Sequence, residues 1–399
     1  MNKPLENYVR KILEFGCNIK PGDNIYIYTN DECKDLLEAI HELKDEYGIK
    51  KIDYVHSDYK KLYDFFGTHP TRAKIRQNVE EYPKITDKSK TKVIFVLDDD
   101  HSGYYRKLND DYLNKLWISY KQNHEVTNKD FWDNFENMYV VTVNWPNKHW
   151  AKTLLGSEEK TPELFDMINS TVPSSLELRE HIQRLKELKN KLNKSNITNL
   201  HFYTNLGTDL NIKLTNNSIW QSTISRLYNQ DYFSNFPSYE LFTSPNCYSA
   251  EGKVVITKPS NFNGVKVNGA EMYFKKGKLV HCDSDNDLWA EMVSYHPHMD
   301  RIGEIAIVPH DSPVARTNRV YDSLLLDENS GCHLALGDSF TKCIKVPKEL
   351  LENKGFSYYK FNQSNWHQDL VFGNESTFIE ATTKNKRRIL LMEHGKWKI

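Results

Sequence analysis

Residues 92–98 read KVIFVLD, an apolar run with no strict alternation. A strand of that kind is covered on both faces, as in a parallel sheet flanked by helices. The run MYVVTVNW at 138–145 has the same character. Towards the N-terminus, the turn Pro21-Gly22-Asp23 precedes a short strand at Ile25–Tyr28, and Ile52–Val55 is another. Two amphipathic helices are predicted around them. Residues 4–16 carry Leu5, Tyr8, Val9 and Ile12 at helical spacing, and residues 32–46 carry Leu36, Leu37, Ile40 and Leu43 on one face. Strands alternating with helices predict βαβ units and a mostly parallel sheet.

Beyond residue 195 the character changes. The charged helical stretch 174–195 ends in KNKLNKSN and reads as a solvated face plus a linker, with the boundary near 195. Strand signals and turns then dominate. Phe202–Asn205 and Leu210–Leu214 form a predicted hairpin around Gly207-Thr208-Asp209. Further strands are predicted at Val254–Thr257, Met272–Phe274 (with a turn at Gly277), Ile302–Val308 and within 377–396, and a helix at 285–295. The fold class is α/β: an N-terminal α/β domain with a mostly parallel sheet over 1–195, and a C-terminal mixed α+β domain over 196–399. A length of 399 residues suits two cores.

Composition removes several functions. There are 53 Lys and Arg against 54 Asp and Glu, a formal net charge of −1. That balance gives no basic face for nucleic acid. No stretch approaches the roughly 20 apolar residues that span a bilayer, and the N-terminus lacks a signal-peptide run, so the expected compartment is the cytoplasm. The cysteines Cys17, Cys33, Cys247, Cys282, Cys332 and Cys343 include no CxxC pair and are expected to be reduced. No phosphate loop, dinucleotide glycine motif, nucleophile elbow or HExxH is present.

The informative residues lie in 235–373. Glu240 sits in NFPSYELFTSP, either an exposed loop acid or something placed before apolar Leu241 and Phe242. Glu304 lies in RIGEIAIVP; a carboxylate inside such a strand costs several kcal/mol unless paired or metal-bound. Arg301 and Arg316 are possible partners. In LLLDENSGCHLALGDSF, residues 324–340, Asp327 and Glu328 follow three leucines. His333 opens an apolar segment there that could start a helix. In NQSNWHQDLVFG, residues 362–373, His367 and Asp369 are two apart and share a side if extended. His296-Pro297-His298 is set aside, because its neighbours are polar and the proline forces a turn. Carboxylates with a histidine minority suit two divalent ions such as Zn²⁺, Co²⁺ or Mn²⁺. The pattern by itself reaches a metallohydrolase.

This half resembles the M29 family of metallo-aminopeptidases, in NFPSYELFTSP, RIGEIAIVP, DENSGCHLALG and WHQD. The opening LENYVRKILEFGCNIKPGDNIYI, residues 5–27, resembles the family's first helix, turn and strand. The resemblance implies metal ligands at Glu240, Glu304, Glu328, His333, His367 and Asp369, with Glu304 bridging two ions in a dinuclear site of the C-terminal domain. It further implies a homodimer that encloses the site, short peptides as substrates and release of the N-terminal residue. Phe340 stands where the family has a tyrosine that helps stabilise the transition state. Tyr321 and Tyr248 are candidate substitutes. Two alternatives remain: a single-iron ring-cleaving dioxygenase related to the same family, and a non-catalytic peptide-binding relative.

Overall fold

The computed structural model describes residues 3–97, 111–262, 265–284, 293 and 297–399. The helix expected at 285–295 and His296 lie, apart from Val293, outside the described residues. The chain packs as two compact units, Met1–Ser175 with Ser225–Pro237, and Leu176–Ile224 with Ser238–Ile399.

The first unit holds a five-stranded parallel sheet in the order Asn235–Phe236, Tyr139–Asn144, Thr91–Leu97, Asn24–Thr29, Lys51–His56. Its central strands are buried on both faces, as their unbroken apolar runs predict. The helix Lys3–Lys11 buries Tyr8 and Val9 and runs into a π-helical turn at Ile12–Gly16. The helix Lys34–Glu42 buries Leu36, Ala39 and Ile40. Local chemistry sets the helix ends: the Asn147 side chain accepts from the Trp150 N–H, and Gly156 closes the same helix at φ 83°. Lys92, the polar residue opening the KVIFVLD run, is fully buried. Its ammonium donates to Gln230 Oε1 at 2.9 Å, lies 3.2 Å from the Tyr139 ring centroid and 3.7 Å from Asp23 Oδ2. Burial pushes its pKa down to about 8.

The division between units differs from the expected boundary near 195. The helix Ser175–Lys194 starts the second unit, because it is not a solvated linker on all sides. Leu178, Leu185, Leu188 and Leu192 form a buried stripe along it. Asn193 locks the end of that helix by exchanging hydrogen bonds with the Trp220 backbone, 2.9 Å each way. Nor does the first unit end with one crossing, since Asn235–Phe236 returns to extend its parallel sheet.

Besides the two-stranded pairing of Ser260–Phe262 with Val265–Val267, the second unit contains two larger antiparallel sheets. One has eight strands, including the expected hairpin of Ile197–Tyr203 with Asp209–Lys213 and the tail strands Phe378–Thr383 and Arg388–Glu393. The other has five, in the order His367–Val371, His333–Gly337, Ile302–Ile307, Leu241–Thr243, Gln221–Ser222. His333–Gly337 is thus a strand and not the start of a helix. Leu334, Ala335 and Leu336 are good helix formers, but the segment lies buried between two partner strands, and the tertiary ladder overrides that preference.

Candidate metal centre

Cross-strand register brings the polar residues together. Glu304 pairs across the ladder with Ala335, and Ala335 pairs with Asp369. Residues directly opposite share a face, so both carboxylates flank one small methyl group. His333 is two residues before Ala335, and His367 is two before Asp369, which puts both imidazoles on that face as well. A side chain larger than alanine at 335 would fill the space between the acids. The ladder is irregular between Ile302 and Glu304. Gly303 sits at that irregularity, and a Cβ on it would lie 2.2 Å from the Asp338 carbonyl oxygen. The glycine therefore lets two backbones close up where Glu304 is aimed. Gly303→Ala is expected to destabilise the chain by more than about 2 kcal/mol, seen as a lowered thermal midpoint.

The distances are those of one cluster. His367 Nε2 lies 3.1 Å from Glu304 Oε2 and 3.3 Å from Asp369 Oδ1. His333 Nε2 lies 3.2 Å from Glu240 Oε2. Two groups of ligand atoms form, each with its atoms within 4.8 Å of one another: Glu304, His367 and Asp369, and Glu328, His333 and Asp369. Asp369 belongs to both. Glu240 is in neither group and meets His333 alongside the second.

Each imidazole is oriented from behind. His367 Nδ1 is 2.9 Å from the Asp338 carbonyl, and His333 Nδ1 is 3.3 Å from the Gly331 carbonyl. A carbonyl oxygen can only accept, so both Nδ1 atoms carry hydrogen and both Nε2 atoms face the carboxylates. That is the support usual for histidine ligands of metals.

Electrostatics bears on whether cations fit. Glu240, Glu304, Glu328, His333 and Asp369 are all buried, and His367 is 21% exposed. Burial raises the Glu304 carboxyl, and Asp369 and Glu240 add to the rise despite His367. Burial opposes charge on His333, but Glu240, Asp369 and Glu304 outweigh it and lift the imidazole to about 9. Burial is likewise outweighed at His367, by Asp369 and Glu304, and its pKa stands well above the ordinary value. Burial also raises Asp369, yet the two histidines carry it to a net lowering. Four acids this close demand positive charge. Protons on the histidines supply some of it, and divalent cations on the same Nε2 and carboxylate atoms would supply it more fully.

The expected readings of individual residues fare differently. Glu240 is 5% exposed and so is not a solvated loop acid. Glu304 pairs with His367 rather than with an arginine; Arg301 donates instead to the Cys247 carbonyl and lies over the Tyr248 ring. Tyr248 is exposed and Tyr321 is fully buried. The Phe340 ring meets His367, Phe242 and Lys342.

Asn329 is the residue that sequence reasoning passed over. It is fully buried. Its Oδ1 accepts from the Tyr239 N–H at 2.7 Å and the Ser238 hydroxyl at 3.1 Å, and its Nδ2 donates to Glu328 Oε1 at 3.4 Å. One amide thus fixes the backbone before Glu240 and touches the carboxylate of Glu328. The D-E-N run contained the signal, but nothing local shows what the amide reaches. Asn329→Ala is expected to weaken divalent-metal affinity about 10- to 100-fold, measured by titration with a competing chelator.

Comparison with known proteins agrees with this chemistry. Aminopeptidase 2 from Geobacillus stearothermophilus is 26% identical, over 99% of this chain and 98% of its own. Aminopeptidase PepS from Streptococcus thermophilus is 24% identical over the same shares. Among solved structures, wild-type AmpT from Thermus thermophilus superposes with a TM-score of 0.85 at 20% identity, covering 100% of this chain and 99% of its own. A 2,5-dihydroxypyridine dioxygenase from Pseudomonas putida KT2440 matches at TM-score 0.50 and 12% identity, over 98% of this chain and 95% of its own. The model of the thermophilic metalloprotease family M29 matches residues 1–397, and the chain belongs to that family.

Proposed function

We propose that this chain is a metal-dependent aminopeptidase that releases N-terminal residues from short peptides at two divalent cations. Glu304, His367 and Asp369 would hold one and Glu328, His333 and Asp369 the other, with Glu240 completing the set beside His333. The observation that carries this reading is the pair of ligand groups sharing the Asp369 carboxylate. On this reading Asp369 would be the carboxylate common to both positions, the place that the family resemblance gives to Glu304. Carboxylates with imidazoles suit Zn²⁺, Co²⁺ or Mn²⁺.

When bound, such ions supply a water of lowered pKa and polarise the scissile carbonyl. The protein's own part is to fix the ligands. The Asp338 and Gly331 carbonyls hold the two imidazoles, Asn329 holds the Glu240 and Glu328 segments, and Ala335 keeps the space between the acids open. Phe340 supplies a ring but no hydroxyl, so charge on the carbonyl oxygen must be met by other donors. Two ligand groups favour the hydrolase over a single-iron dioxygenase, and the weaker likeness to a dioxygenase concerns the fold alone.

The same reading carries a homodimer and a cytoplasmic enzyme. The six cysteines are free thiols, in keeping with a reducing compartment, and no helix among the described residues is long and apolar enough to cross a membrane. The test is metal analysis of the purified protein combined with a dipeptide panel. The expected result is about two divalent ions per chain and peptide hydrolysis that chelation removes and metal restores. One iron per chain with oxygen uptake on a dihydroxypyridine would contradict it.

A further inference from the structure

Phe340 and Lys342 lie beside the candidate centre without belonging to it. The Phe340 ring packs 4.5 Å from the His367 ring, centroid to centroid, and is 37% exposed. Phe242 meets it edge-on at 5.8 Å. The Lys342 ammonium sits over both rings, 4.8 Å from the Phe242 centroid and 5.4 Å from the Phe340 centroid. Two ring faces thus flank the ammonium.

The lysine is held in that place. Thr341–Cys343 is a 3₁₀ turn whose Cys343 is buried with Phe242 and Ala306. The Cys343 N–H donates to the Phe340 carbonyl at 2.9 Å, and the Gln221 side chain donates to the Lys342 carbonyl at 2.7 Å. The backbone is pinned on both sides of the side chain, while Lys342 as a residue is exposed. Four carboxylates would balance two divalent ions, and among the described residues no ion pair offsets the charge of Lys342.

We infer that Phe340 and Lys342 form a subsite for the C-terminal side of the substrate, in which the ring packs against the residue after the scissile bond and the ammonium takes the free α-carboxylate of a di- or tripeptide. The inference rests on the aminopeptidase reading and narrows its substrate class. An extended peptide advances about 3.3–3.6 Å per residue. A carboxylate one or two residues beyond an amide at the cations therefore falls at the distance scale of one ring plus one ammonium. An exposed ion pair of this kind is worth up to about fivefold in binding, and somewhat more against a partly dry aromatic wall. The ammonium also steers anionic ends towards the site in a salt-dependent way.

The test compares Leu-Gly-Gly with its C-terminal amide on the metal-loaded full chain, for wild type, Lys342→Met, Lys342→Arg and the control Lys354→Met, another lysine lying over a ring. Wild type should favour the free acid about 5- to 10-fold in kcat/KM, mainly through KM, and the preference should shrink with added salt. Lys342→Met should bring the ratio close to one, whereas Lys342→Arg and Lys354→Met should keep it. A wild-type ratio near one, or an unchanged ratio in Lys342→Met, overturns the inference and leaves the aminopeptidase intact. Wild-type protein that cleaves neither peptide overturns both.

Discussion

Asp369→Asn should lower peptide hydrolysis by at least about 10³-fold, a loss of about 4 kcal/mol of transition-state stabilisation. The reason is its place in the ladder. Asp369 stands across Ala335 from Glu304 and two residues from His367, and its carboxylate belongs to both ligand groups. An amide there keeps the shape but removes a negative charge that both proposed cation positions would share. Glu304→Gln removes charge from one group, so it should retain one ion more often than Asp369→Asn does. Metal content measured beside kcat/KM distinguishes the two. The expected order is about two ions in wild type, fewer in Glu304→Gln and fewest in Asp369→Asn. Equal metal content in all three proteins would show that Asp369 is not shared.

The second large effect is on pH, and it runs in opposite directions for the metal-free and metal-loaded protein. In the metal-free chain the carboxylates hold protons on the imidazoles, with His333 lifted to about 9 and His367 also well above its ordinary value. A group with a raised folded pKa stabilises fully below its unfolded pKa of about 6.5, and that contribution is lost as pH rises through the folded pKa. The thermal midpoint of metal-free protein should therefore fall between about pH 6.5 and 9. Metal binding must displace the same protons. Its affinity should rise with pH over that window. From pH 6 to 8 displacement of the His333 proton alone should raise affinity on the order of 10²-fold, and displacement of the His367 proton adds to that rise. Calorimetry in buffers of different ionisation enthalpy should record about two protons released per chain near pH 7. Release of none would mean that the histidines are already neutral and that the charge balance argued here is wrong.

How much of this was legible in the sequence depends on whether the signal was local. The unbroken runs at 92–98 and 138–145 announced strands covered on both faces, and the parallel sheet contains Thr91–Leu97 and Tyr139–Asn144. The carboxylate of Glu304 inside an apolar strand announced a partner, since an unpaired one is too costly there. His367 and Asp369, two apart, share a face because their segment is a strand. What stayed hidden depended on distant pairing. No local rule tells that Asn235–Phe236 joins a sheet formed by residues far earlier in the chain. Leu334-Ala335-Leu336 has helix-forming side chains, and only the flanking strands make it extended. The buried leucine stripe of Ser175–Lys194 was masked by the charges around it. Asn329 gave no cue because its amide acts through the Tyr239 backbone and Glu328, which are brought together by folding.

The most direct test of the central claim is anomalous diffraction from crystals of the full chain grown with Zn²⁺, Co²⁺ or Mn²⁺. The account predicts two cation peaks roughly 3.5–4 Å apart, one contacting Glu304 and His367, the other Glu328 and His333, with Asp369 touching both. A lone peak, or peaks out of reach of Asp369, would contradict it.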